Sequence, residues 1–457
     1  MEDLDAPDHV PGQELSMRDH FSNAAWGILD YAAYPIGMLA VAPVLLRNLG
    51  IAQYGVWTVA SAAVSTGGII ASGFGDANIQ HVARSRGKGD RSVLLGAVRS
   101  MMGINLALGI LVGLAAWLLS PVAASHVAMQ DLALRHDCIW SLRIASVLML
   151  VRSVESVCIS THRAYERYGA AVRISILTRV LALGIGAVIS FRIHNAVAIM
   201  ASTAVLMIPG LWFQMTRLKQ YLGMHSLLPK FDHDALRALL SFGAFSWLQA
   251  VSGVVFAQVD RLMIGVSLGA VAVASYSLCA QMTLPVFGFA ASGLHFLFPY
   301  LSNRSAVMTG HSLARPILIA LGWNAAFVLT ASLVLTSFGP RILSVWAGQG
   351  ILSAAEPVLA LLIWSSALLG LNVTGTYALL ALGRVRIVTW INLAGGVTML
   401  GLIFWLTPQI GIRAVAIARL CYSLVTLLIY IPLIHELRHR QSIGFASSLT
   451  HATCEDL

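Results

Sequence analysis

The sequence predicts an all-α polytopic membrane protein with about twelve transmembrane helices, in two six-helix bundles related by a pseudo-two-fold axis along the membrane normal. Three observations carry this expectation. First, the 457 residues are 58% hydrophobic and only 11% charged, with mean hydropathy +0.78, against about 25% charged residues in a soluble domain. A water-facing fold could not hide that much apolar surface. Second, apolar runs near the ~20 residues needed to cross hydrocarbon recur along the whole chain. Third, the gaps between runs alternate between rich and poor in Lys and Arg.

In order, the runs are 21–45, 52–78, 93–119, 138–160, 173–191, 196–216, 241–266, 270–300, 315–338, 356–382, 386–407 and 411–435. The first follows an acidic stretch, MEDLDAPDHVPGQELSMRDH, which lacks the basic start and apolar core of a signal peptide and is expected to be a cytoplasmic tail. The second and third flank a basic gap holding Arg84, Arg86, Lys88 and Arg91. The fourth is interrupted by Arg143, Arg152 and Glu155, and the fifth and sixth are joined by a short polar turn. A longer gap follows at 217–240, whose part from Phe231 to Leu240 reads as an amphipathic helix on the inner surface. The seventh and eighth runs are separated only by Ser267, Leu268 and Gly269. Pro285 and Pro299 predict that the eighth kinks, tilts or ends early. The remaining four follow with short gaps. The organisation is thus a tail at 1–20, a bundle at 21–218, a linker at 219–240, a bundle at 241–437 and a tail at 438–457.

With the amino terminus inside, eighteen of the 29 Lys and Arg fall in cytoplasmic segments. Five fall outside: Arg47, Arg135, Arg192, Arg341 and Arg413. That bias places both termini in the cytoplasm, and it accounts for the net charge of +9 without nucleic acid as a partner. Trp117, Trp140 and Trp405 then sit near outer ends, and Trp212 and Trp247 near inner ends, where amphipathic rings settle. The five cysteines form no CxxC pair and show no metal-ligand spacing. No phosphate-binding Walker loop or HExxH motif occurs, so no cofactor, metal or catalytic residue is expected.

The halves echo each other. The first carries LLRNLGIAQYGVWTVA and the second LMIGVSLGAVAVASYSLCA. Leu49-Gly50 matches Leu268-Gly269, Tyr54 matches Tyr276, and Ser72-Gly73 matches Ser292-Gly293. Six spans per half would set both halves running the same way across the bilayer, as in paired-bundle transporters.

At these residues the chain resembles the polysaccharide transporter branch of the multidrug/oligosaccharidyl-lipid/polysaccharide exporters, the Wzx-type flippases, which are MATE-like. The pattern is carried by Arg47, Leu49, Gly50, Tyr54, Gly55, Gly73 and Gly75 in the first half. In the second it is carried by Phe242, Gly243, Asp260, Arg261, Leu268, Gly269, Tyr276, Phe298 and Pro299. The resemblance implies movement of an undecaprenyl-diphosphate-linked oligosaccharide across the bacterial inner membrane for O-antigen, lipopolysaccharide or exopolysaccharide assembly. It further implies membrane lipid, a polysaccharide polymerase and chain-length proteins as partners.

The charges inside the spans add an independent argument. A charge at mid-bilayer costs about 2.5–3.5 kcal/mol on insertion scales, so it faces a cavity or a partner. Six arginines lie within spans: Arg99, Arg143, Arg152, Arg179, Arg261 and Arg419. Only Asp30, Glu155 and Asp260 oppose them, with Asp76 at an inner helix end. A basic interior suits an anionic ligand, and a diphosphate offers oxygens that guanidinium groups grip in pairs. The arginines are therefore the substrate-cavity candidates, and the three acids are the coupling or gating candidates.

Plainer readings stand beside these. Arg152 and Glu155 lie at i and i+3 and neutralise each other. Arg99, Arg143, Arg261 and Arg419 can reach back to the nearer membrane surface. Arg179 has no acid on its own helix and is the first choice for a cavity. Asp30 takes a proton, pairs with an arginine, or caps a broken turn before Pro35. His295 packs or hydrogen-bonds rather than relaying protons, and Pro35, Pro43, Pro209 and Pro285 are either hinges or ordinary features of spans. Two other functions compete. A cation-coupled drug or metabolite exporter would want an acidic interior. A membrane enzyme of polysaccharide assembly would want larger outer loops than 120–137 and 339–355.

Overall fold

The computed structural model describes residues 17–439, except 73, 88–90, 130, 166, 225, 230–232, 295–296 and 305–309. The expectations for residues 1–16 and 440–457, for His295 and for the side chain of Asp76 lie outside the described residues.

The described chain is helical nearly throughout, because in hydrocarbon every backbone N–H and C=O must be satisfied within the protein. The elements are α1 (Met17–Ser72), α2 (Gly75–Gly87), α3 (Arg91–Val127), α4 (Leu132–Ala164), α5 (Tyr168–Ser190) and α6 (Ala196–Tyr221). They continue with α7 (His233–Gly293), α8 (Leu297–Arg304), α9 (Gly310–Ala347), α10 (Gln349–Ala381), α11 (Val385–Ile410) and α12 (Ile412–Thr426). A 3-10 turn at Leu427–Ile429 prolongs α12 into a stretch ending at His439.

Among the described residues, nine stretches are long and apolar enough to cross a membrane. That number falls short of the expected twelve. The boundaries expected near 45–52 and 266–270 are present all the same, because α1 and α7 each join two helices at Gly50 and Gly269, where the backbone is non-helical. α4, which carries Arg143, Arg152, Glu155 and Arg163, is not among the nine. Two further expectations are corrected. Residues 233–240 are the first turns of α7 rather than a separate surface helix, because nothing in that stretch breaks the helix before residue 241. The gaps expected at 120–137 and 339–355 shrink to a few residues, since α3 runs to Val127, α4 starts at Leu132, and only Gly348 separates α9 from α10. The eighth run ends at Gly293, followed by the short α8.

Gly50 has φ 76° and Gly269 φ 84°. At both the backbone is in a region open to glycine, and each lets the chain turn sharply between two helical stretches. The repeated Leu-Gly pair therefore has a structural reason. The tyrosines that follow, Tyr54 and Tyr276, are fully buried. Gly55 permits a close approach of the two halves, because a Cβ there would lie 2.0 Å from the Ala270 carbonyl oxygen.

Polar bonds join the amino-terminal helices α1–α6 to the carboxy-terminal helices near both ends. Toward the Gly50 end, Arg47 Nη2 donates to Val345 O at 3.1 Å and Trp346 Nε1 to Leu39 O at 2.9 Å. Toward the other end, Trp247 Nε1 donates to Ile70 O at 2.7 Å, and its ring stacks on Phe74. Large apolar side chains such as Leu118 (65% exposed) and Phe404 (80% exposed) face outward, as expected where lipid is the solvent. Small residues and hydroxyls fill the helix contacts, letting helices approach closely where no water drives them together.

Candidate functional site

A cavity of about 510 Å³ lies among the helices, bordered mainly by α1, α4, α5 and α6. Its charged lining is Asp30, Arg152, Arg163 and Arg179. α4 presents two of them. Arg152 and Arg163 are eleven residues apart in α4. At 3.6 residues per turn that spacing returns to nearly the same face, about 16 Å further along the axis. α5 contributes Arg179 and α1 contributes Asp30, shortly before Pro35.

These side chains form a chain of alternating charge. Arg163 Nη2 donates to Asp30 Oδ2 at 2.9 Å. Asp30 Oδ1 lies 3.7 Å from Arg179 Nη1. Arg179 Nη2 lies 3.9 Å from Glu155 Oε2, and Arg152 Nη1 donates to that oxygen at 3.3 Å. Glu155 sits behind the lining, 3% exposed, and its Oε1 accepts from Gln214 Nε2 at 3.0 Å. Three guanidinium groups thus face two carboxylates. Arg163 Nε and Arg179 Nε are buried without a hydrogen-bond partner, although a guanidinium offers five donors.

Much of the remaining wall is aliphatic, including Leu45, Val64, Leu148, Ile199 and Met207, with aromatic and weakly polar positions at Tyr34, Trp57, Ser61, Ser65, Thr203 and Gln258. Trp57, Ser61 and Ser65 recur every fourth residue on α1, so they share a helix face. Gln258 is the lining residue from α7, and Arg261 Nη1 donates to its Oε1 at 3.1 Å.

The residues singled out by sequence therefore separate. Arg152, Arg179 and Asp30 line the cavity, Glu155 backs it, and Arg261 reaches it through Gln258. Three arginines do not come to it. Arg99 Nε donates to Leu228 O at 2.9 Å in an exposed position. Arg143 lies over the rings of Trp117 and Trp140, 5.0 and 5.2 Å from their centroids. Arg419 does not reach back to a surface: it is 8% exposed and pairs with Asp260. Asp260 also accepts from Tyr276 Oη at 2.6 Å, so this acid is enclosed in the carboxy-terminal half. Arg163 was assigned by sequence to a cytoplasmic gap because the fourth apolar run ends at 160. The helix continues to Ala164, and the eleven-residue spacing from Arg152 is the signal that could have found it.

Solved transporters share this fold. The chain superposes on the inward-facing conformation of a multidrug resistance MATE family transporter of the MOP superfamily with TM-score 0.65 and 14% identity, covering 93% of this chain and 99% of that one. It superposes on the lipid II flippase MurJ, inward closed conformation, with TM-score 0.67 and 11% identity, covering 92% and 87%. The fold is thus the one these two structures share. In sequence, it is 23% identical over 403 residues to a candidate O-antigen transporter of Shigella flexneri, covering 87% of this chain and 93% of that protein. The family described as polysaccharide biosynthesis protein matches residues 23–305, and the chain belongs to that family.

Proposed function

We propose that this protein carries an undecaprenyl-diphosphate-linked oligosaccharide from the inner to the outer leaflet of a bacterial inner membrane by alternating access. The observation that carries the reading is the grouping of Arg152, Arg163 and Arg179 around one cavity where Asp30 is the only acidic lining residue among the described residues. Paired guanidinium groups suit a diphosphate. Trp57, Ser61, Ser65, Thr203 and Gln258 offer an aromatic face, hydroxyls and an amide to sugar rings. The lipid tail stays in the bilayer while the hydroxylated head crosses in the cavity, which avoids dragging unsatisfied polar groups through hydrocarbon. Counting α1 and α7 as two passes each and adding α4 to the nine apolar stretches supports twelve passes in two bundles of six, with both termini cytoplasmic by the Lys and Arg bias. A cation-coupled exporter is the competing reading, but a cationic substrate would meet three guanidinium groups here.

A deletion strain tests the proposal, with the lipid-linked saccharide assigned to a leaflet by an impermeant sugar-modifying reagent. The expected result is intermediate trapped on the cytoplasmic side and released by restoring the gene. Normal arrival at the outer leaflet would rule out flipping.

A further inference from the structure

We propose that Asp30 is a resident internal anion at the phosphate-binding position of Arg163 and Arg179, and that a phosphate of the ligand takes its place. This rests on the diphosphate reading above and adds how the empty site is held and what loading releases.

The geometry distinguishes this ion pair from the others. The side chains of Asp30, Arg163 and Arg179 are 19%, 31% and 21% exposed, and all three line the cavity. The Asp260 and Arg419 side chains are 1% and 9% exposed. A sealed pair has nothing to exchange with, whereas one open to a cavity does. Glu155 does not exchange, because it is 4% exposed and tied to Gln214.

Asp30 occupies its arginines incompletely. Its Oδ2 takes one Arg163 donor at 2.9 Å, while its Oδ1 has no hydrogen bond and stands 3.7 Å from Arg179. Arg163 Nε and Arg179 Nε have no acceptor. A phosphate, with more acceptor oxygens than a carboxylate, can engage both guanidinium groups at once. One set of ion pairs breaks, another forms, and no covalent bond changes.

The exchange has a mechanical consequence. Asp30 ties α1 to α4, and Pro35 follows five residues later. Proline removes the hydrogen bond to the carbonyl of residue 31 and weakens the helix there. Among the described residues, Trp26 ties the start of α1 to α5, its ring lying under the Arg173 guanidinium at 4.8 Å. Displacing Asp30 therefore frees the segment before Pro35 from α4, so ligand occupancy is transmitted to α1.

The test is binding of farnesyl diphosphate to the full-length protein in detergent at fixed salt, read by microscale thermophoresis. Asp30→Asn is expected to bind about tenfold more tightly than wild type, and Arg163→Gln about tenfold more weakly, the scale of one charge-assisted hydrogen bond. The double variant is expected to bind no more tightly than Arg163→Gln. If Asp30 acts only as a diffuse repelling charge, the tenfold gain persists in the Arg163→Gln background, and the inference fails. Wild-type affinity or weaker binding in a well-folded Asp30→Asn overturns it equally, and Asp30→Ser replaces that variant if it does not fold. Binding to none of the proteins would overturn the inference together with the reading it rests on. Binding that ignores Asp30 overturns the inference alone.

Discussion

One carboxylate, Glu155, is shared by two arginines and a glutamine deep in the wall of the cavity. Removing one partner of a buried charged group costs about 3–5 kcal/mol, because what remains is an uncompensated charge. Glu155→Ala is therefore expected to lower the thermal midpoint of the purified protein sharply. An unchanged midpoint would show that water already reaches Arg152 and Arg179. On the proposed function Arg179 holds the ligand, and Arg152 and Gln214 still pair with Glu155 without it, so Arg179→Ala is expected to abolish surface polysaccharide while protein level in the membrane stays normal. Normal polysaccharide from a well-expressed variant would remove Arg179 from the mechanism. The Asp260–Arg419 pair is the opposite case, sealed and held by Tyr276. Asp260→Asn alone is expected to destabilise. Replacing both charges with leucine should recover most of that loss, because the desolvation of two ions disappears with them. A double-mutant cycle on thermal stability measures this, and a double variant less stable than the single one would contradict it.

Among the elements, α1 and α7 carry the design. Each holds two helical stretches around one glycine with positive φ, and the two approach each other closely at Gly55 and Ala270. A methyl group at Gly55 would sit 2.0 Å from a backbone carbonyl, which cannot move aside as a side-chain tip can. Gly55→Ala is thus expected to abolish monodisperse protein in detergent. Gly96→Ala on α3, where nothing lies within 4 Å of the added carbon, should behave as wild type. Equal yields of the two variants would mean that the halves separate easily along this seam. At Gly269, an added side chain faces backbone strain of about 1–3 kcal/mol.

At the scale of the molecule, the cavity is walled largely by α1–α6, with Gln258 reaching in from α7. The halves also touch toward both ends, through Trp346 with Leu39 and through Trp247 with Ile70. A machine that exposes its cavity alternately must open one of these contacts at a time. In a cysteine-free background, a cleavable thiol crosslinker joining Ile70→Cys to Trp247→Cys is expected to stop polysaccharide export, and cleavage to restore it. Continued export with the crosslink in place would mean that this contact stays closed throughout the cycle.

Sequence alone determined the class of this protein, because apolar length and charge scarcity are properties of composition that no folding detail can reverse. It also marked the Leu-Gly turns with their following tyrosines, since a backbone position that only glycine tolerates leaves a trace in the residue itself. The tertiary structure decided which charges meet. Arg99, Arg143 and Arg419 stood among the cavity candidates beside Arg152 and Arg179, set apart only by lying nearer the ends of their spans. What separates them is which neighbouring helix each one faces, and that depends on packing between segments far apart in the chain. Arg163 was lost to sequence because hydropathy ends a span where the apolar run ends, while the helix continues as long as its backbone hydrogen bonds do. Asp30 and its two arginines lie more than 130 residues apart in sequence, so only the packing of α1 against α4 and α5 could make one site of them.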